Sequence, residues 1–188
     1  LKDDKWLNIL EKKIAENIYN IFFIRRKYAE ELNNIINSQL SNFKKIKIGY
    51  KNKLFTDLSN KNQLINLFLQ ELKNKREIDE ITKRMNFSIN TDEIYILDIK
   101  NNLNVESSST GEQKSSLLTI ILANCWKLKN DNKEFILLLD EATSHIDSQN
   151  FKKLFVEVDK FNTQIWYTGT NKNMFQVIEN KGFFIHLQ

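Results

Sequence analysis

The sequence predicts a mixed fold in which a mostly α-helical arm, residues 1–85, precedes an α/β part, residues 86–188. Two observations carry this prediction. Apolar residues recur at helical spacing through the first forty positions, with Lys, Glu and Asn between them. After about residue 104, short apolar runs alternate with amphipathic stretches in the order helix, strand, helix, strand, which favours parallel strands joined by helices.

Composition limits the class of protein. The chain has 188 residues, of which 41% are hydrophobic and 28% charged, as in a globular domain with a sizeable core. The only cysteine, Cys125, excludes a disulfide framework or an all-cysteine metal cluster. Apolar runs are far shorter than the roughly 18 residues of a membrane span, so we expect a cytoplasmic protein with no membrane partner.

The arm contains two helical stretches. Apolar spacing from Trp6 to about Leu40 predicts one long helix, or two with a break between them. A continuous helix of that length would span roughly 50 Å at ~1.5 Å per residue, which suits an arm better than a globule. A second helix is predicted from Lys61 to about Ile81. Between them, alternation from Lys45 to Tyr50 predicts a short strand that turns at Gly49.

The second part begins with a strand-like region, Phe87 to Ile99. It continues with elements that make a parallel sheet with a helical crossover the expected topology. These elements are a helix at Lys114–Leu128, a strand at Phe135–Leu139, a helix at Ser148–Lys160 and a strand at Gln164–Thr168. A short helix at Asn171–Ile178 and a strand at Gly182–Leu187 complete the prediction.

Residues 109–113, here called the signature segment, stand directly before an amphipathic helix and read Ser-Thr-Gly-Glu-Gln. Their hydroxyls and backbone amides could face an anion, with the helix dipole behind them. Gly111 permits a close approach of backbone. A helix cap formed by Ser109 or Thr110, with Glu112 in the first turn, explains the same residues equally well.

Asp140 and Glu141 follow the apolar strand directly, at its carboxyl end. Open α/β sheets bind ligands at that end of their strands. One carboxylate there can hold the hydration shell of Mg²⁺, and its neighbour can accept a proton from water. Ser144 and Asp147 then lie in the loop that leads to the next helix.

This ordered set resembles the ATP-binding-cassette ATPases, whose signature motif, Walker B strand and following loop are similar to STGEQ, ILLLDE and SHID. The closing runs QIWYTGTN and GFFIH are similar to the branch of that family that serves bacterial DNA replication and repair. Thr168-Gly169-Thr170 stands where most cassette ATPases carry a histidine switch. The resemblance is strong over residues 105–188 and implies the C-terminal half of a cassette ATPase head.

The resemblance implies ATP and Mg²⁺ as cofactors and a role for each site residue. Asp140 would orient Mg²⁺ through water, and Glu141 would be the general base. The remaining residues would contact ATP or the partner subunit across a dimer interface. They are Ser109, Thr110 and Gly111 at the γ-phosphate, Glu112 and Gln113 completing that surface, and Ser144 with Asp147 sensing the partner.

The sequence also departs from the family. It has only four glycines, so no Gly-x-x-x-x-Gly-Lys-Ser/Thr phosphate loop (Walker A) is present. The family's Gly-x-His-Arg stretch is replaced by Asn86–Asp92. We therefore expect the chain to hydrolyse little ATP unless an N-terminal Walker A half completes it. Such a half-head is expected to expose a sheet edge and an apolar face, and to be poorly soluble.

For the whole protein the resemblance implies an ATPase of DNA replication and recombinational repair that binds single-stranded or gapped DNA. It also implies an ATP-dependent homodimer that helps recombinase loading beside the mediator proteins RecO and RecR. Two alternatives remain open: an inactive or non-enzymatic fragment that binds DNA or a partner, and the C-terminal half of another chromosome-maintenance ATPase. The lysines around residues 44–53 either line a solvated strand or contact phosphates.

Overall fold

The computed structural model of the chain describes residues 4–51, 60–88, 93–141 and 147–185. Four α-helices are present in this part of the chain: α1 (Asp4–Ser38), α2 (Lys61–Thr82), α3 (Thr110–Asn130) and α4 (Ser148–Asp159). The strands are β1 (Ile46–Lys51), β2 (Glu93–Asp98), β3 (Leu103–Asn104), β4 (Ile136–Leu139) and β5 (Gln164–Tyr167). Two 3-10 helices span Val105–Ser107 and Lys172–Ile178.

The chain divides into two compact units. The first takes in Leu1–Asn33 and Lys47–Leu97, and the second takes in Asn34–Ile46 and Asp98–Gln188. The boundaries thus fall inside α1, β1 and β2. No helix of the described residues is both long and apolar enough to cross a membrane.

The first unit contains most of α1, a single helix of 35 residues without the break that the sequence allowed. Ala15 and Ile18 of α1 are buried with one face of α2, because residues three and four apart share a helix face. The core cluster consists of Ala15, Ile18, Leu64, Phe68, Leu72 and Phe87. Arg76 of α2 also donates two hydrogen bonds of 2.6 Å to the buried Glu11 carboxylate, which fixes the pairing of the two helices.

Phe87 corrects the predicted strand of residues 87–99, which in the structure begins at Glu93. The Phe87 ring is buried, with its centroid 6.0 Å from that of Phe68 in α2. Packing in the helical core therefore takes this residue out of the sheet. A large aromatic side chain has the same apolar signal in either place.

Gly49 corrects a second prediction, because it lies inside β1 and not in a turn. A Cβ at this position would overlap the ring of Tyr95 in β2. The missing side chain is what lets the aromatic ring lie across the backbone of β1. Glycine in a strand often marks such a close approach.

We expect Gly49→Ala to destabilise the chain by about 1–3 kcal/mol, because the added methyl group overlaps the outer end of the Tyr95 ring, which must then move. Urea unfolding followed by circular dichroism would measure the loss. Gly182→Ala is the matched control, since a Cβ there meets only the Ile178 carbonyl oxygen at 3.9 Å. Equal stability of the two variants would contradict this account of Gly49.

The described strands form two sheets, a three-stranded sheet of order β1-β2-β3 and a two-stranded sheet of β4 and β5. The β4–β5 pair is parallel, in a register that places Leu139 opposite Tyr167. The predicted strand, helix, strand crossover through α4 is thus confirmed. One side of this pair is buried with the apolar face of α4, as Leu137, Leu139, Phe151 and Leu154 show.

The outer side of the same pair is uncovered by the described residues. Ile136, Leu138 and Trp166 are 59%, 70% and 50% exposed. Parallel strands are normally covered on both faces, so this apolar surface is unusual. The expected apolar face is therefore present.

The strand predicted at residues 182–187 is wrong for its described part, since residues 183–185 have no regular structure. Phe183 is fully exposed and Ile185 is 73% exposed. A strand forms only where a neighbouring strand offers hydrogen-bond partners. The apolar composition of this segment does not by itself provide a neighbouring strand.

Candidate functional site

The signature segment begins α3 itself, four residues before the predicted helix start. Ser109 is the N-cap, and its hydroxyl accepts a hydrogen bond of 3.4 Å from the backbone N–H of Glu112. The Glu112 carboxylate accepts from the Ser109 N–H at 3.1 Å, which completes a capping box. The helix-cap interpretation is thus correct for Ser109 and Glu112.

The rest of the signature segment presents an open surface. Thr110, Gly111 and Gln113 are exposed. The Gln113 side chain donates hydrogen bonds of 3.1 Å to the carbonyl oxygens of Glu106 and Ser108, which holds the preceding turn against the helix. A Cβ on Gly111 would meet nothing within 4 Å. No packing of the described residues explains a glycine here, and the helix N-terminus is open to an approaching group.

Asp140 and Glu141 follow the last residue of β4, and both are exposed. Glu141 has a φ of 48°, in the left-handed region that non-glycine residues rarely occupy. The chain therefore turns sharply at the carboxyl end of the strand.

Thr168 connects this turn to β5. Its hydroxyl accepts a hydrogen bond of 2.8 Å from the Glu141 N–H and donates to Oδ1 of Asp140. The sequence pattern assigns Thr168 to a family segment but gives this residue no function of its own. The signal was available: Thr168 and Asp140 each follow one strand of a parallel pair, so their positions meet at one sheet edge.

Asp147 serves as the N-cap of α4. Its carboxylate accepts hydrogen bonds from the Asn150 N–H at 2.8 Å and from the Asn150 side chain at 2.7 Å. These bonds, led by the Asn150 N–H, lower the pKa of Asp147 from its usual value. Ser144, the other residue predicted in this loop, lies outside the described residues, as do Thr143 and His145.

Some lysines of the cluster predicted around residues 44–53 make bonds within the protein. Lys44 pairs with Asp98 at 3.2 Å, and Lys45 donates to the Ile36 carbonyl oxygen at 2.6 Å near the end of α1. Lys47 is exposed. The side chain of Lys51 and all of Lys53 lie outside the described residues. Two of the five candidate phosphate contacts are thus committed to structural bonds.

The oxygen atoms beside β4 fit Mg²⁺ held mostly by water and phosphate. No group of three His, Cys, Asp or Glu side chains with metal-binding proximity occurs among the residues that the structure describes. Mg²⁺ needs no such group, because it keeps several waters and uses one or two carboxylates with substrate phosphates. Asp140, exposed and followed by a second carboxylate, offers that kind of ligand.

Comparison with known sequences finds relatives described as DNA replication and repair proteins. No protein-family model matches the chain. It is similar over its whole length to the DNA replication and repair proteins RecF of Rickettsia rickettsii and Rickettsia felis, at 30% identity to each over 189 residues. RecF of Rickettsia prowazekii is 29% identical over the same length. The chain spans about half the length (52%) of these relatives and matches their C-terminal half.

Solved structures agree with the architecture. Two structures of the recombination mediator protein RecF in the RecFOR pathway, one described with ATP, align over 92% of the chain. Their TM-scores are 0.69 and 0.73, at 21% and 22% identity, and the chain covers 47% and 48% of them. The predicted fold, the C-terminal half of a cassette ATPase head preceded by a helical arm, is confirmed.

Proposed function

We propose that this chain is the half of a RecF-type ATPase that supplies the signature segment and the Asp140–Glu141 pair for ATP hydrolysis in DNA replication and recombinational repair. The carrying observation is the exposed pair Asp140 and Glu141 at the carboxyl end of β4, where the Thr168 hydroxyl of the neighbouring parallel strand joins the Asp140 carboxylate to the backbone N–H of Glu141. Ligands of α/β sheets bind at that edge.

Each carboxylate has a separate task in this proposal. When bound, Mg²⁺ would neutralise charge on the phosphates and orient them. Asp140 would hold the metal through a water of its hydration shell, and Glu141 would accept the proton of the attacking water. Both side chains are exposed at the sheet edge, where a nucleotide can reach them.

The signature segment acts on the nucleotide of a second subunit. Ser109, Thr110 and Gly111 stand at the amino end of α3, a helix of 21 residues whose dipole favours an anion there. Contact with the γ-phosphate would make the homodimer depend on ATP. Glu112 shapes this surface through the capping box, and Gln113 does so through its hydrogen bonds to the preceding turn. We assign Ser144 and Asp147 to the partner interface.

An N-terminal half with a phosphate loop is required in this proposal. The chain has no Gly-x-x-x-x-Gly-Lys-Ser/Thr sequence, and the relatives it matches are about twice as long. The uncovered outer side of β4 and β5 is apolar at Ile136, Leu138 and Trp166. Further strands and helices of the same head would cover it, as parallel sheets require.

The partners follow from the relatives' names. RecF proteins are named for DNA replication and repair, and the structural neighbours are described as recombination mediators of the RecFOR pathway. We therefore propose that the completed protein binds single-stranded or gapped DNA and works with RecO and RecR in recombinase loading.

The test is Mg·ATP binding and turnover by the chain alone and mixed with the N-terminal half of the Rickettsia rickettsii RecF. We expect turnover only in the mixture, since the phosphate loop supplies the lysine and amides that hold the phosphates. Titration of the mixture with DNA would then measure its effect on turnover. Absence of nucleotide binding in both samples would contradict the proposal and favour a non-enzymatic fragment.

Gly111→Ala separates a function in the dimer from a structural one. Because the added Cβ meets none of the described residues within 4 Å, stability should stay equal or rise by up to about 1 kcal/mol. ATP-dependent dimerisation should fall about tenfold or more, since the methyl group occupies the space of the opposing phosphate. Thermal unfolding and analytical ultracentrifugation with ATP measure the two effects.

Ser115→Ala is the matched control for Gly111→Ala, as Ser115 is exposed on the same helix one turn further along. It should leave both the unfolding and the dimer unchanged. If Gly111→Ala dimerises with ATP as the unmodified protein does, the signature segment does not face a nucleotide.

A further inference from the structure

Thr168 makes three hydrogen bonds to three successive residues at the end of β4. Its backbone N–H donates to the Leu139 carbonyl oxygen at 3.0 Å, which extends the parallel ladder. Its hydroxyl donates to Oδ1 of Asp140 and accepts from the Glu141 N–H. One exposed side chain thus holds both the carboxylate of Asp140 and the backbone of Glu141.

The Glu141 backbone requires such a partner. A φ of 48° brings the Cβ of a glutamate close to the backbone carbonyl oxygen, which disfavours this conformation in every residue except glycine. It persists only where surrounding bonds over-determine it. The bond from the Glu141 N–H to the Thr168 hydroxyl is such a bond.

We propose that Thr168 is a positioning residue for the reaction of the proposed ATPase: its hydroxyl fixes the left-handed turn at Glu141 and the direction of the Asp140 carboxylate. The catalytic part of this inference rests on the proposed function. The part that concerns the fixed turn at Glu141 rests on geometry alone. Thr168 touches no reacting atom and acts through the two acidic residues. A neutral hydroxyl does this without any titration near neutral pH.

Thr163 offers a comparison for Thr168, because its hydroxyl has a purely structural role in the same pair of strands. The Thr163 hydroxyl donates to the Phe135 carbonyl oxygen at the opposite, amino-terminal end of β4 and β5. It also joins the two strands but lies at the end remote from the carboxylates. Thr163→Val therefore removes a bond of the same kind and serves as the matched control for Thr168→Val.

The first experiment uses the chain as it is and measures amide hydrogen exchange of Glu141 by NMR. Thr168→Val keeps the shape and the backbone bond to Leu139 but removes both hydroxyl bonds. We expect Glu141 exchange to accelerate roughly five- to tenfold, with Thr168→Ser restoring protection and Thr163→Val leaving it unchanged. Equal protection of Glu141 in Thr168→Val and the unmodified chain would overturn the inference.

The second experiment measures steady-state ATP hydrolysis in the mixture with the N-terminal half. Thr168→Val should lower kcat by about 10²-fold with little change in KM, because misplaced groups slow the chemical step while the nucleotide still binds. Thr168→Ser should recover most of the rate. An unchanged kcat in Thr168→Val would overturn the positioning role.

Failure of the proposed ATPase function and failure of the positioning role of Thr168 give different results. If the unmodified mixture hydrolyses no ATP, the proposed function fails, and the exchange comparison alone still decides whether the Thr168 hydroxyl fixes Glu141. If the mixture is active and Thr168→Val lowers kcat only as much as Thr163→Val does, the Thr168 hydroxyl only joins the strands. The inference is then wrong.

Discussion

Glu141→Gln in the completed head should lower ATP turnover by about 10²–10⁴-fold while ATP binding persists, because an amide cannot accept the proton of the attacking water. The glutamine keeps the length of the side chain and the N–H bond to Thr168. An ATP-bound dimer should therefore accumulate. Steady-state phosphate release and size-exclusion chromatography with ATP measure the two effects.

Glu134→Gln is the matched control for that variant. Glu134 is exposed and lies just before β4, at the opposite end from Glu141. Its turnover should equal that of the unmodified head. Unaltered turnover in Glu141→Gln would remove this residue from the mechanism and leave Asp140 as the acidic residue to examine.

Lys44→Met should destabilise the second unit by about 3–5 kcal/mol, since it leaves a buried carboxylate without its counter-charge. The Asp98 side chain is only 4% exposed, and the Lys44 ammonium lies 3.2 Å from its Oδ2. The substitution removes the positive charge that the ammonium places beside Asp98, and urea unfolding would measure the loss.

The Lys44–Asp98 pair makes the stability of the fold depend on pH. Burial acts to raise the pKa of Asp98, but the Lys44 ammonium and the N–H groups of Lys100 and Asn101 outweigh it, so the pKa lies below its usual value. A lowered carboxylate pKa stabilises the fold above the unfolded value of about 3.9, and this contribution is lost as pH falls below it. In Lys44→Met, protonation of Asp98 relieves the unpaired charge. The stability difference between the two proteins should therefore shrink toward pH 3.

Lys47→Met tests whether charge alone explains the result. Lys47 carries the same charge a few residues along the chain and is exposed in β1. Its loss should change the free energy of unfolding by less than about 0.5 kcal/mol. A similar loss in both variants, or a difference independent of pH, would contradict the role given to the Lys44–Asp98 pair.

Much of the fold followed from local patterns in the sequence. The helical stretch that forms α1, the helix α2 and the parallel pair β4 and β5 were predictable because each has a strong period of apolar residues. Whether α1 is one helix or two was left open by the sequence. The position of Asp140 and Glu141 at the carboxyl end of a strand was predictable for the same reason, because they directly follow an apolar run. Their roles in catalysis stay predictions.

Three positions depended on partners distant in sequence. Gly49 was expected in a turn, but the ring of Tyr95 decides its place inside β1. Phe87 was expected in a strand, but the core beside Phe68 takes it. Lys44 was a candidate for phosphate contact, and buried Asp98 binds it instead. None of these partners can be identified from the spacing of residues along the chain.

The sequence by itself determined that two acidic residues follow an apolar strand and that a glycine-containing segment stands at the amino end of an amphipathic helix. Only the tertiary structure decided that Thr168 joins both acidic residues. The physical reason is register: a hydroxyl can bridge Asp140 and Glu141 only when β5 lies parallel to β4 with Tyr167 opposite Leu139. Alignment of two strands through side-chain packing and hydrogen bonds is a property of the folded chain.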